Sequence, residues 1–496
     1  MAFIPFILAV AAGCLLAKSA AVSRGLRPRL CALLLELSIG AGLGAGISSC
    51  LYFVLLASGL AGRGSILAAN CFLLAIAALL YWKMRPAAAA ETAPPPQAKT
   101  SSLVLIFSGL ALVACLLPAA IGNLQLASSN PHGLWDAWAI WNLRAKYLAG
   151  DAEAWRYALS PLLDKTHPDY PLLLSGFIAE NWRFAGQFDT SVPIVTGFMF
   201  SAAVIAILAS ALAVQRSLGL AAAALMVMLS DQQFLTHLGG QLSDIPLGFF
   251  YLASITTVLL MENSDEPGRA AAALAGALAA LAAWTKDEGI VFALIFLVCF
   301  AALEFWRGGA GRLWRNTSWA LAGALPVLAL VGIFKLMVAP PANPLTSQPA
   351  SEAAARILTA DRVWTLVKSI WVFSTDRGAG IAQPLLVLAL AVAGLGFLKP
   401  LRFKKTVVFG WVVLGLLFGG YCAAILANPT LLGHEWSAPF DRMFSQLWPS
   451  FLLALFLTLR APEEFLPAAP SPAQPERIKK KRSARRGHGP TAHPQG

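Results

Sequence analysis

Apolar residues run along this chain in blocks of about twenty, broken by short polar stretches. A helix rises 1.5 Å per residue, so about twenty apolar residues cross a ~30 Å hydrocarbon layer. Thirteen such runs can be read, with approximate cores at 3–18, 31–58, 65–82, 102–121, 191–214, 219–231, 245–261, 270–284, 289–305, 317–338, 379–398, 406–427 and 443–460. The second is long for a single span and the sixth is short. The brief alternating segments of a membrane β-barrel are absent. The pattern predicts an all-α integral membrane protein, a polytopic helical bundle of about 13 transmembrane helices.

Composition agrees with the pattern. Of 496 residues, 58% are hydrophobic and only 12% are charged, where a soluble domain carries about 25% charged residues. That excludes a soluble enzyme, a disordered chain and a disulfide scaffold. The opening MAFIPFILAVAAGCLLAK has the apolar core of a signal peptide but no basic residue before it. Further spans follow, so it is expected to remain as the first helix. The seven cysteines all lie within apolar runs without a Cys-x-x-Cys pair, and are expected to be small buried apolar residues.

Charge then fixes a direction. The chain holds 37 basic and 25 acidic residues, a net +12. In a multi-span protein such an excess first reports sidedness, not a nucleic-acid partner. With thirteen spans and the N-terminus outside, the clusters at 18–29, 83–99, 307–315, 399–405 and 477–486, together with Arg216, all fall in the cytoplasm. The chain divides into three N-terminal spans (1–83), an Ala/Pro-rich inner linker (84–101), a larger span-bearing module (102–460) and a Pro-rich, then basic, disordered cytoplasmic tail (461–496). Two readings of the tail stay open: it touches anionic lipid, or it only sets topology.

The same topology places segments 122–190, 232–244, 339–378 and 428–442, and the tight turn 285–288, on the outer face. The first of these carries Trp135, Trp138, Trp141, Trp155 and Trp182, five of the 15 tryptophans. Tryptophan favours the headgroup zone, so this loop is expected to lie along the outer surface as interfacial helices, with the short helix 172–186 in or dipping into that interface. Pro168 and Pro171 flank Asp169 and Tyr170 and favour an extended approach to it. The second segment holds Asp231, His237 and Asp244, with Asp244 and Pro246 suited to the first turn of a span. Lys286, Asp287 and Glu288 fit either a solvated hairpin or a site. The last outer segment carries His434, Glu435, Asp441 and Arg442.

Ionisable groups at membrane depth or its fringe are costly and are functional candidates for that reason. Taken singly, each also fits a capped helix end or a headgroup anchor. The gathering of Asp136, Asp244, Lys286 and Arg442 on one predicted face points to a site. No Walker loop, strand-borne GxGxxG, HExxH or GxSxG motif is present, so no nucleotide or organic cofactor is expected. The histidines at 132, 167, 237 and 434 lack zinc spacing, and a divalent metal is the one cofactor left open.

Taken together, WDAWAIWNLRAK (135–146), HPDYPLLL (167–174), SDIPL (243–247), WTKDEG (284–289) and DRMFSQLWPS (441–450) resemble the GT-C superfamily of polytopic glycosyltransferases. The likeness is greatest to the RgtA/B/C/D-like bacterial branch, related to protein mannosyltransferases and the lipid A aminoarabinose transferase, and it covers roughly 102–460. It implies a GT-C-like bundle in the bacterial inner membrane with its active face periplasmic. It implies a sugar moved from a polyprenyl-phosphate donor to a glycan, lipid or protein acceptor. Asp136 matches the family's essential first-loop acid and Asp244 the second acid lining the cavity; these are the expected catalytic residues. Many members pair two acids in the first motif, whereas here Ala137 follows Asp136, which departs from a metal-holding pair. Arg144, His167, Asp169, Tyr170 and His237 are expected to contact substrate, as are Lys286, Asp287, Glu288 and Arg442. Arg442 is expected at the donor phosphate, against a structural pairing with Asp441 or Glu435. A polymerase or ligase, or a transporter or flippase, remains the alternative; the missing internal repeat and the edge position of the charges speak against transport.

Overall fold

The computed structural model describes residues 3–23, 25–84, 102–151, 153–263, 268–341, 348–377, 383–429 and 437–465. Most of the Ala/Pro linker, the basic part of the tail, His434 and Glu435 lie outside them. Among the described residues the structure is helical, with one isolated β-bridge between Phe397 and Leu459. The helices are α1 (Ile4–Ser19), α2 (Arg29–Ala57), α3 (Arg63–Met84), α4 (Ser102–Ser129), α5 (Leu143–Leu148), α6 (Leu173–Ala185), α7 (Ser191–Gln215), α8 (Leu218–Leu229) and α9 (Gln232–Gly239). They continue with α10 (Asp244–Leu260), α11 (Arg269–Thr285), α12 (Asp287–Ile333), α13 (Ala350–Ile357), α14 (Ala360–Thr375), α15 (Pro384–Leu395), α16 (Lys404–Ala427) and α17 (Ser437–Phe456).

Each of the thirteen apolar runs carries a helix over most of its described residues. Seven helices among the described residues are long and apolar enough to cross a membrane, or eight if the pair α8 and α9, bent by 86°, is one broken span. The protein is therefore a multi-pass helical membrane protein. Its outward faces agree: Leu110, Val113 and Leu117 along α4 and Leu294 and Val298 on α12 are exposed. Such a surface needs an apolar solvent.

Helix α12 is longer than a span because it is two. A straight helix of 47 residues would measure about 70 Å, yet Lys335, just beyond its end, pairs with Asp287 at its start. The chain turns back at Gly308 and Gly309, where Gly309 takes φ +69°, a backbone region that suits glycine.

At the centre stands α10, with all 17 residues buried; α2, α7, α11 and α17 pack around it. The three leading helices, set apart in sequence, are not set apart in packing. Helices α1 and α2 touch backbone to backbone: a Cβ on Gly44 would lie 2.0 Å from the Ala9 carbonyl oxygen. Small residues permit this approach between membrane helices. In turn α2 carries Ser49, whose hydroxyl accepts from Trp284 Nε1 at 3.1 Å.

The first loop departs from its expected place on the surface. Every residue of α6 from Leu173 to Trp182 is buried. The reason is polar: Glu180 accepts from Ser48 Oγ and Asn70 Nδ2, both at 2.5 Å, and Asn181 Oδ1 accepts from the Phe6 amide at 3.0 Å. These partners all sit on the leading helices, so α6 is drawn into the bundle. Trp141, Trp155 and Trp182 are likewise buried, and only Trp135 and Trp138 of the five remain exposed.

Two further expectations change. None of the cysteines is fully buried; Cys71 is exposed and the other six are intermediate, unpaired on partly outward helix faces. The tail does not leave the fold at 461: Glu463 accepts from the Gly219 amide at 3.0 Å and Glu464 pairs with Arg216 at 3.3 Å.

Charged groups collect at the two ends of the bundle. At the basic end, the buried Glu304 meets Arg307 and Arg312, each at 2.7 Å, and Arg307 also reaches Glu262 at 2.7 Å. This ion-pair cluster had no motif to announce it. The other end gathers the acids and bases singled out above.

Candidate functional site

Four separate stretches of chain deliver the site. Asp244 opens α10, where its carboxylate meets the positive helix end. It is buried, accepts from Lys286 Nζ at 2.9 Å, and takes a second hydrogen bond from Gln446 Nε2 at 2.6 Å. Lys286 is the single extended residue between α11 and α12, a break that drops its side chain into the protein. It lies 3.3 Å from Glu288 and 5.7 Å from the centre of the Tyr170 ring. The stretch 285–288 is thus not a solvated hairpin: Lys286 is 1% exposed. Burying an unpaired ammonium would be prohibitive, and two carboxylates make it tolerable.

Gln446 is the next link. Its Oε1 accepts from the Tyr421 hydroxyl, which lies 2.9 Å from the Tyr251 hydroxyl. This relay joins α16, α17 and α10 beneath the acid–base pair.

Nearer the surface, Asp136 forms an ion pair with Arg442. The Arg442 side chain is 31% exposed, against 11% for Asp136, so this pair faces outward where the Asp244–Lys286 pair does not. Arg442 does not turn to its neighbour Asp441. Asp441 instead lies 2.9 Å from His237 Nε2 and 3.3 Å from Arg377, and Arg377 reaches Asp231 at 2.7 Å. Asp231 also caps α9, accepting from the Phe234 amide at 3.0 Å. The bend between α8 and α9 is held by these groups.

The HPDYP turn forms another wall. His167 and Tyr170 stack with centroids 4.7 Å apart, and Trp141 stacks on Tyr170 at 6.1 Å. Burial, with Lys286 nearby, pushes the His167 imidazole below its ordinary pKa, so it is neutral at pH 7. Burial raises the Tyr170 phenol well above its usual value. Arg144 lies beneath this turn, fully buried, donating to the Tyr170 carbonyl at 2.7 Å. Burial lowers its pKa to about 10, which leaves it charged. Through this bond it positions Tyr170, while its Nε and Nη1 have no hydrogen-bond partner among the described residues. Lys335, inside an apolar run, donates to the Asp169 carbonyl at 2.6 Å and pairs with Asp287.

Of the expected residues, Asp136, Asp244, Lys286, Glu288 and Arg442 join the two central pairs. His167, Asp169, Tyr170 and Asp287 line the same region, while His237 belongs to the Asp441 cluster. Sequence reasoning passed over Lys335, Arg377, Tyr251 and Tyr421. Lys335 carried a usable signal, a lone cation in an apolar run; the tyrosines carried none. Among the described residues no group of three or more His, Cys, Asp or Glu side chains could hold a metal ion. No family model matches the chain, and neither a curated protein nor a solved structure does.

Proposed function

We propose that the protein is a membrane glycosyltransferase that moves a sugar from a polyprenyl-phosphate donor to a glycan, lipid or protein acceptor on the outer face of a bacterial inner membrane, within a GT-C-like bundle of about 13 spans. The observation that supports it best is the outward-facing Asp136–Arg442 pair above the buried Asp244–Lys286 pair. An anionic phosphate arriving beside Arg442 competes for its guanidinium, which can grip two oxygens at once. Asp136 then becomes free to accept a proton. The acceptor hydroxyl attacks the anomeric carbon and loses its proton to Asp136. The sugar–phosphate C–O bond breaks, and polyprenyl phosphate leaves with the electron pair. The energy resides in that bond, so no ATP site is required.

Arg442→Lys tests this role. Lysine keeps the charge but loses the two-pronged grip. The apparent KM for the lipid donor should rise about tenfold or more with thermal stability unchanged. A loss of stability with unchanged KM would make Arg442 structural and leave Lys335, 23% exposed beside Asp169 and Asp287, as the more exposed of the two remaining lysines of the region. Lys286, 1% exposed, is too deeply buried to take the place of Arg442.

Sidedness is tested separately. In a cysteine-free background, a cysteine placed at Asn130 should react with a membrane-impermeant thiol reagent in intact cells. One at Ala310, at the basic end, should not. Reaction at 310 would reverse the assignment of faces.

A further inference from the structure

A cavity of about 630 Å³ opens between the end of α4, the turn 130–133, the helical stretch from Ala137 to Leu148 and the start of α7. This is within the range of small-molecule sites, about 300–1,000 Å³. Nothing in the two ion pairs above uses it. Trp138 and Phe188, 52% and 51% exposed, contribute flat aromatic faces to its lining. Lys146 joins them, its ammonium 5.4 Å from the Phe188 ring centre.

The deciding group is Asn142. It lines the cavity and is 6% exposed. Its Nδ2 donates to the His132 carbonyl at 3.0 Å and to Gln241 Oε1 at 3.2 Å, which fixes which way the amide points. Its Oδ1 has no hydrogen-bond partner among the described residues. A buried acceptor without a donor is costly to leave unmade, and such groups call for an explanation. What satisfies it must carry an O–H or N–H. An ionised phosphate or carboxylate group offers no hydrogen and would be repelled by a carbonyl oxygen, so the anionic group of a ligand does not belong at this point. A pyranose does fit: its C–H face lies on an aromatic ring while its hydroxyls donate to an amide oxygen and accept from an ammonium.

We propose that this cavity is a saccharide-binding subsite for a neutral, hydroxyl-bearing sugar unit. Its walls are shared with the site. Trp138 follows Asp136 by two residues at the head of the same helical stretch, and Gln241 precedes Asp244 by three. The Leu134 amide donates to the Gly240 carbonyl at 3.2 Å, which ties the two segments together. The identification of the bound sugar as part of the acceptor rests on the proposed transferase reading; sugar binding itself does not.

The test uses the full-length protein in nanodiscs, without donor, and ligand-observed NMR with maltopentaose, cellopentaose and chitopentaose. At least one should show saturable binding. Trp138→Ala and Phe188→Ala remove exposed rings and should each weaken binding about tenfold. Asn142→Leu should abolish it, and if that protein fails to fold, the two ring variants decide. No saturable binding by any of the three sugars, or binding indifferent to both ring variants, overturns the proposal. So does binding in detergent that vanishes in the bilayer, which would make the cavity a lipid site. Because no donor is present, failure here leaves the transferase reading standing, and failure of transfer with sugar binding intact does the reverse.

Discussion

Asp136→Asn is expected to lower sugar transfer at least about 100-fold while leaving the protein folded and inserted. A positioned general base contributes about 10²–10⁴-fold, and asparagine removes the proton acceptor at almost constant shape. The stability cost should be small, since the partner Arg442 is 31% exposed and water can solvate it once the carboxylate is gone. Donor affinity should hold or improve, because the guanidinium no longer has an internal competitor. Initial rates in proteoliposomes at saturating donor, beside a melting curve of the same preparation, read both quantities. Transfer at the wild-type rate in a folded Asp136→Asn protein would remove Asp136 from the chemistry.

Lys286→Met should have the largest effect on stability. Lys286 and Asp244 are each 1% exposed and lie 2.9 Å apart. Removing one partner of a buried pair strands the other and costs about 3–5 kcal/mol. Replacing both with neutral groups of similar size is often nearly neutral. Asp244→Asn with Lys286→Met should therefore recover most of the lost stability. Gln446 Nε2, which lies 2.6 Å from Asp244 Oδ1, can donate equally to the amide oxygen that replaces it. Activity should not return with it, since the buried charges beneath the Asp136–Arg442 pair are gone. A double-mutant cycle on melting temperature measures the coupling. A Lys286→Met protein as stable as wild type would show that the pair does not form.

Much of the helical order was legible because one solvent dictates it. An apolar run of about twenty residues has few alternatives to a helix in lipid, and each such run here is helical over most of its described residues. The turn within α12 was legible too, as the basic stretch 307–315 between the runs 289–305 and 317–338, and the break falls at Gly308 and Gly309. The first loop was misplaced for a definite reason. Tryptophan-rich segments favour the interface, but Glu180 and Asn181 are satisfied by Ser48, Asn70 and Phe6, more than 100 residues away. No local pattern encodes a partner at that distance. The candidate site was legible as far as charge in an apolar setting is legible. Asp244, Lys286 and Arg442 stood out for that reason, and they lie together. The pairing did not: Arg442 chose Asp136, about 300 positions back, over the adjacent Asp441. The tyrosine relay through Gln446 was invisible, because tyrosines in a membrane protein usually mark an interface.

The central claim, that a lipid-linked sugar is consumed at the Asp136–Arg442 pair, is tested most directly by mass analysis of envelope glycans and polyprenyl-phosphate sugars from cells with the protein, without it, and with Asp136→Asn alone. One polyprenyl-phosphate sugar should accumulate, and one glycan, lipid or protein should lose a single sugar residue, identically in the deletion and the Asp136→Asn strain. Unchanged donor and acceptor pools in both strains would contradict the account.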